Sequence, residues 1–143
     1  MTILSQTIAR LQEGKEASGL VLIEGVAEFA ALTGNPPRHL QPAGYVIATT
    51  DRAGKSELIG KHRQLVTRGI AVVLALGNLR DPRGAGASLA IEDLEATVTA
   101  QLAGWKPTGA EDSMQFAGSR TLGLRDQVVW RQLDFTVRTK LQP

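Results

Sequence analysis

IEDLEATVTAQLAGWKP, residues 91–107, reads as the second half of an amphipathic helix, a glycine stop, and a tryptophan set before a proline. Ile91, Leu94, Val98 and Leu102 recur at steps of three, four and four, an apolar stripe at helical period that can seat against a sheet. Glu92, Asp93 and Glu95 are expected in the first turn, where exposed N–H groups and the macrodipole favour negative charge. Gly104 suits the left-handed position past the helix end, Trp105 can fold back onto the last turn, and Pro107 forbids continuation. None of these residues is an obvious acid, base or ligand, so the stretch speaks of architecture before chemistry.

Upstream, Asp81-Pro82-Arg83-Gly84 suits a type I turn and delivers the chain to Ser88, a plausible N-cap for a helix running through Ala103. Residues 65–76 precede it. There Val66, Arg68, Ile70, Val72, Leu74 and Leu76 alternate with a set containing Ala71, Val73 and Ala75, so both faces of the second half should be covered, as in a central strand. AGYVIAT, residues 43–49, is aromatic and β-branched and follows Pro42, which can stand at the mouth of a strand. Between these strands lies a glycine- and charge-rich connection over residues 50–63, longer than most hairpin turns.

Nearer the N-terminus, Ile3, Leu4, Ile8 and Leu11 share a helical face between Thr2, a candidate cap, and Gly14. Residues 20–23 predict a short strand, and Val26, Phe29, Ala30 and Leu32 a helical turn or two before Gly34, with Asn35-Pro36-Pro37 as a breaker. Downstream of Pro107 a turn-like segment leads to a strand beginning at residues 114–116 and a break at 119–123. In the last stretch Val129, Arg131, Leu133, Phe135 and Val137 fall on one side and Val128, Trp130, Gln132, Asp134, Thr136 and Arg138 on the other, a long antiparallel strand with one apolar face. No internal repeat is visible. The expected fold is a single α+β domain over residues 1–143, a mainly antiparallel or mixed sheet of four to five strands packed by two or three helices.

Composition narrows the function classes. With 43% hydrophobic and 21% charged residues the chain sits outside the disordered class. A net charge of +2 does not by itself argue for nucleic acid. Locally, Arg52, Lys55, Lys61, Arg63 and Arg68 stand against Glu57, while the helix region is acidic; such patches can meet across a subunit contact, and solvated loop charges are the plainer account. The absence of cysteine removes disulfides and thiolate chemistry and fits a reducing compartment. Neither a signal-peptide pattern nor an apolar run long enough to span a bilayer is present, so a soluble, cytosolic product is expected.

The chemical motifs are incomplete. Gly54-Lys55-Ser56 resembles the end of a P-loop, but Thr49 stands where the motif needs its first glycine. Gly84-Ala85-Gly86 hints at a dinucleotide loop whose third glycine position is Leu89. His39 and His62 lie in expected loops without a ligand partner at helical spacing. Asp126 and Asp134, if both on the last strand, are roughly 27 Å apart at strand rise and cannot act as a pair. The basic loop has no aromatic to stack a base, so any nucleic-acid binding there is unspecific. Trp105 reads as a helix-end plug and Trp130 as sheet packing, although Trp130, beside Gln132 and Thr136, is also a candidate for a subunit interface.

Gly104-Trp105-Lys106-Pro107, then Met114-Gln115-Phe116-Ala117-Gly118, then Val129-Trp130 followed by Phe135-Thr136, resemble the C-terminal half of the tail terminator family of long-tailed bacteriophages and prophages, which includes minor tail protein U-like and Mu-like tail proteins. The preceding strand, the turn at 78–81, the helix and the N-terminal helix match in order, so the resemblance covers nearly the whole chain. It implies a non-enzymatic protein, without cofactor or metal, that assembles as a homo-oligomeric ring, typically a hexamer, on the end of the tail tube. Such a ring stops polymerisation of the tail tube protein and offers the surface on which the head–tail connector protein docks, with no membrane and no specific nucleic acid among its partners.

The implied location is the virion tail, reached from the host bacterial cytoplasm during assembly. On this reading Trp105 and Pro107 fix the helix end, and Trp130 and Phe135 order the final strand. The candidate assembly residues are Arg52, Lys55, Lys61 and Arg63 of the loop, and Glu92, Asp93 and Glu95 of the helix. The chain departs from the family in its glycine-rich turn and at residues 50–63, so the family's contacts there do not carry over. The alternatives are a small nucleic-acid-binding domain using the basic loop, or another tail-completion or neck protein.

Overall fold

The structure is a computed structural model that describes residues 2–55, 64–77 and 85–141, with side chains from residue 90 onward in the last segment. Thr2 caps the first helix, α1 (Ile3–Glu13), by accepting the Ser5 amide at 3.0 Å. Gly14 closes it, and a single further turn, α2 (Lys15–Ser18), ends at Gly19 with φ of 77°, a left-handed conformation in which a side chain would be strained. The chain then forms β1 (Leu22–Glu24), α3 (Val26–Ala31) and a 3-10 turn (Arg38–Leu40). There follow β2 (Ala43–Ala53), β3 (Gln64–Gly77), α4 (Ala85–Leu102), β4 (Gln115–Arg125) and β5 (Val128–Leu141).

The five strands make one mixed sheet in the order β1-β2-β3-β5-β4. Among the described strands only the β1–β2 pair is parallel. The expected α+β class holds, with one helical turn, α2, more than the sequence pattern suggested.

The main core lies between one sheet face and the pair α1 and α4. The helical stripe Ile91, Leu94, Val98 and Leu102 is buried against Val46, Val72, Leu74, Leu133, Phe135 and Val137. Each such aliphatic or aromatic side chain taken from water contributes about 1.5–3 kcal/mol, which is why periodicity alone located these residues. The central position expected for residues 65–76 is met: β3 is flanked by β2 and β5, and residues 70–75 are buried on both faces.

At the end of α4, Gly104 takes φ of 85°, the Trp105 amide returns to Leu102 O at 3.1 Å, and Trp105 packs on the core. Gly104 N donates to Met114 O at 2.8 Å and Met114 N to Trp105 O at 2.7 Å, which stitches the plug to the entry of β4. Arg10 lies 5.3 Å over the Trp105 ring and its Nε donates to Gln101 O at 2.9 Å, so α1 clamps the same corner.

Several expectations are corrected. α4 starts at Ala85, so Ser88 lies within the helix, and Glu92, Asp93 and Glu95 occupy its middle turns. Ala85, Ala87 and Ala90 are strong helix formers that extend the helix upstream, and the dipole argument for those acids fails. The break expected at 119–123 is part of β4, which accommodates its irregular residues in register shifts at Phe116/Gly118 and Thr121/Gly123. Asp126 is not on β5: with Gln127 it forms the tight β4–β5 turn, both residues at positive φ.

β2 continues to Ala53, which places Arg52 on a strand rather than in a loop. Its register shift sets Thr49 and Thr50 against Gly69 alone; a Cβ on Gly69 would collide with the Thr49 hydroxyl and lie 3.1 Å from Thr50 O. The turn expected at 81–84, and Lys61, Arg63 and His62, lie outside the described residues.

Candidate assembly interface

The second sheet face is covered only in part. Ala43, Tyr45 and Val73 form a small buried cluster, against which Leu22, Phe29, Leu32, Ile47 and Trp130 pack. Trp130 stacks on Tyr45 with centroids 6.4 Å apart, Phe29 closes the triangle at 5.4 Å from Tyr45, and Trp130 Nε1 donates to Asn35 Oδ1 at 2.8 Å. Asn35 Nδ2 in turn donates to Arg125 O at 2.8 Å, so the segment after α3 is tied across the sheet to β4. Burial, and then the charge of Glu24, push the Tyr45 hydroxyl pKa up. Trp130, on the side of β5 read as polar, is therefore half-buried under α3.

Beside this cluster a cleft of about 380 Å³ opens between Phe29, Leu32, Trp130 and the β4 residues Leu122, Leu124 and Arg125. A second, of about 450 Å³, lies at the N-terminus of α1, bordered by Asp51, Arg68 and Thr139. Neither concentrates an acid, base and nucleophile. Among the described residues no cluster of three or more histidine, aspartate or glutamate side chains could hold a metal ion, and no helix is long and apolar enough to cross a membrane.

The sequence-selected charges are dispersed. Arg52 and Lys55 are exposed at the β2 end of the β2–β3 connection. Arg68 is engaged at the surface within its own chain, with Asp51 at 3.1 Å and Thr139 Oγ1 at 3.0 Å. Glu92 and Asp93 are exposed on α4, whereas Glu95 is engaged within the chain: Arg131 Nε donates to its Oε2 at 2.7 Å. Burial opposes the Glu95 charge, but hydrogen bonds from Arg131 and Ser119, with the Arg131 charge, outweigh it and hold the pKa below the ordinary glutamate value. Pro107 is buried beyond the α4 plug, and Phe135 lies in the core with Phe116 edge-on at 5.6 Å. The sequence reading missed Arg131, though a lone charge among Val129, Leu133, Phe135 and Val137 was its signal.

The profile of the phage tail terminator protein family matches residues 3–143. The chain belongs to the phage tail terminator family. Membership of this tail terminator family makes it a structural component of a phage tail, a class of assembly proteins rather than enzymes. No protein of curated function matches it in sequence. Among solved structures, a chain from the virion of a native gene transfer agent particle superposes with a TM-score of 0.54 at 12% identity, covering 99% of this terminator-family chain and 100% of the other. At that identity the likeness is one of fold.

Proposed function

We propose that the protein closes as a ring, with a hexamer as the expected state, on the end of a phage tail tube. There it stops polymerisation of the tube protein and presents the surface to which the head–tail connector docks. The observation that carries this reading is the match of the tail terminator family over residues 3–143. The architecture supports it: a five-stranded sheet carries no assembled catalytic set among the described residues and has exposed apolar side chains on its β4 margin.

Within the ring, we assign to Arg52 at the end of β2 and to Lys55, Lys61 and Arg63 of the segment after it a contact with tube, connector or neighbouring subunit. Repetition around the ring turns its modest charge into a strong local field. Glu92 and Asp93 remain exposed as acidic partners, while Glu95 serves its own subunit through Arg131. Ring closure is what keeps a head-to-tail contact from running on into a filament.

Deletion of the protein from the phage or prophage, whether or not that prophage is otherwise functional, tests the reading. Tails of irregular, uncapped length that fail to join heads are expected, and capped tails of normal length would sink it. Reversal of Lys55 and Lys61 to glutamate should impair docking while leaving the melting temperature unchanged. Salt-sensitive retention of the isolated protein on DNA, with no ring formation, would instead favour nucleic-acid binding by the loop.

A further inference from the structure

β4 and β1 are the two outer strands of the sheet, and paired residues link them across it. Glu24 pairs with Tyr45, Tyr45 with Val73, Val73 with Gln132, and Gln132 with Arg120. Glu24 and Arg120 therefore stand at opposite ends of one cross-strand row and project from the same sheet face. Neither forms an ion pair among the described residues. A second row, from Leu22 through Ala43, Ala75 and Trp130 to Gly123, ends between apolar residues on both sides: Leu122 and Leu124 are 46% and 64% exposed, and Val21 is 42% exposed.

We propose that the β4 margin of one copy docks head to tail on the β1 margin of the next, with Arg120 meeting Glu24 and Leu124 meeting Val21. This rests on the reading that the protein self-assembles as a ring, and it names the surfaces that close it. Strand directions agree. β1 and β2 are parallel and each later step across the sheet is antiparallel, so β4 runs opposite to β1 and the two margins meet as antiparallel neighbours.

Opposite charges then face at one row, and the exposed Val21 and Leu124 meet just beside the other. The symmetric alternative, β4 against β4, is disfavoured by its own sequence. Arg120 is the midpoint of Gln115–Arg125, so antiparallel self-pairing centred there sets Arg120 against Arg120. Such a head-to-tail contact is heterologous, and it ends in a ring when the rotation between successive copies divides a full turn.

The chain has no cysteine, so introduced thiols report on the contact without interference. Val21→Cys and Leu124→Cys variants, treated with a short bis-maleimide both as concentrated protein and in purified tails, distinguish the arrangements. The double variant is expected to give a covalent ladder ending in a closed product, and a mixture of the two single variants a heterodimer. A covalent dimer from an Arg120→Cys variant alone, the position at which antiparallel self-pairing opposes two copies of one residue, would mean β4–β4 pairing and overturn the proposal, as would the absence of any product of the double variant from both protein and tails.

Arg120→Glu should lower the cross-linking yield at least tenfold with an unchanged melting temperature, and adding Glu24→Arg should restore it. Undiminished yield in Arg120→Glu would overturn the paired row. Tail length after deletion is read separately. A ladder with capped, normal-length tails in the deletion strain would leave this interface standing and remove the tail-terminating role.

Discussion

Arg131 Nε donates to Glu95 Oε2 at 2.7 Å, joining the middle of α4 to the first turn-side residues of β5. The same guanidinium donates to Thr121 Oγ1 at 2.8 Å and Ser119 Oγ at 2.9 Å, so one side chain holds helix, edge strand and inner strand together. The pair is mostly shielded, with side-chain exposures of 25% for Arg131 and 17% for Glu95, and is worth more than the exposed Arg68–Asp51 pair. Removing one partner leaves the other poorly solvated, which is where most of the cost arises.

Glu95→Gln is therefore expected to destabilise the fold by about 1.5–3 kcal/mol at neutral pH. The folded pKa of Glu95 lies below its ordinary value of 4.5, so its contribution is fully present above that value. It is lost as the pH falls through the lowered folded value, because there the unfolded chain binds the extra proton first. Thermal melts of wild type and variant across the acid range should converge as the pH drops, and a constant gap would assign the cost to packing alone.

Phe135 is 1% exposed and packs between the apolar faces of the sheet and α4, with Phe116 edge-on. Phe135→Ala should cost about 3–5 kcal/mol through lost transfer energy and the cavity left behind. Urea unfolding read by circular dichroism measures it. A loss under about 1 kcal/mol would mean that the neighbouring side chains collapse into the space.

Gly104 ends α4 at φ of 85°, and a Cβ added there would meet no atom within 4 Å, so sterics with neighbours do not enter. The cost of Gly104→Ala is then the left-handed backbone alone, about 1–2 kcal/mol, and Gly104→Asn should cost less. Comparing the melting temperatures of the two variants isolates that conformational effect, and equal values would contradict it.

The Trp130–Asn35 hydrogen bond is the polar fastening of the second sheet face. Trp130→Phe keeps most of the ring packing and removes the donor. A double-mutant cycle with Asn35→Ala should show a coupling of about 0.5–1.5 kcal/mol. Zero coupling would leave Asn35 acting only through Arg125 O.

How far the site was legible follows from the range of the signals. Exposure of Lys55, Glu92 and Asp93 is a property of charge and composition, and the residues are indeed on the surface. Glu95 carries the same charge in the same stretch, yet points at Arg131, because the helical step from Asp93 turns it toward the sheet. Trp130 reads as the odd residue of a polar face, and only the return of α3 over that face explains it.

The amino-acid sequence by itself determined the elements whose cause is local: the stripe from Ile91 to Leu102 that makes α4 amphipathic, the glycine–tryptophan stop behind it, the doubly apolar β3 and the alternation of β5. Helical and strand periods are imposed by backbone geometry, so neighbouring residues suffice to reveal them. Tertiary structure alone decided that Glu95 meets Arg131, that α3 covers Trp130, and that Glu24 and Arg120 end the same row. Those relationships depend on strand order and register, which are set jointly by many weak contacts between residues distant in the chain, and no local pattern encodes them.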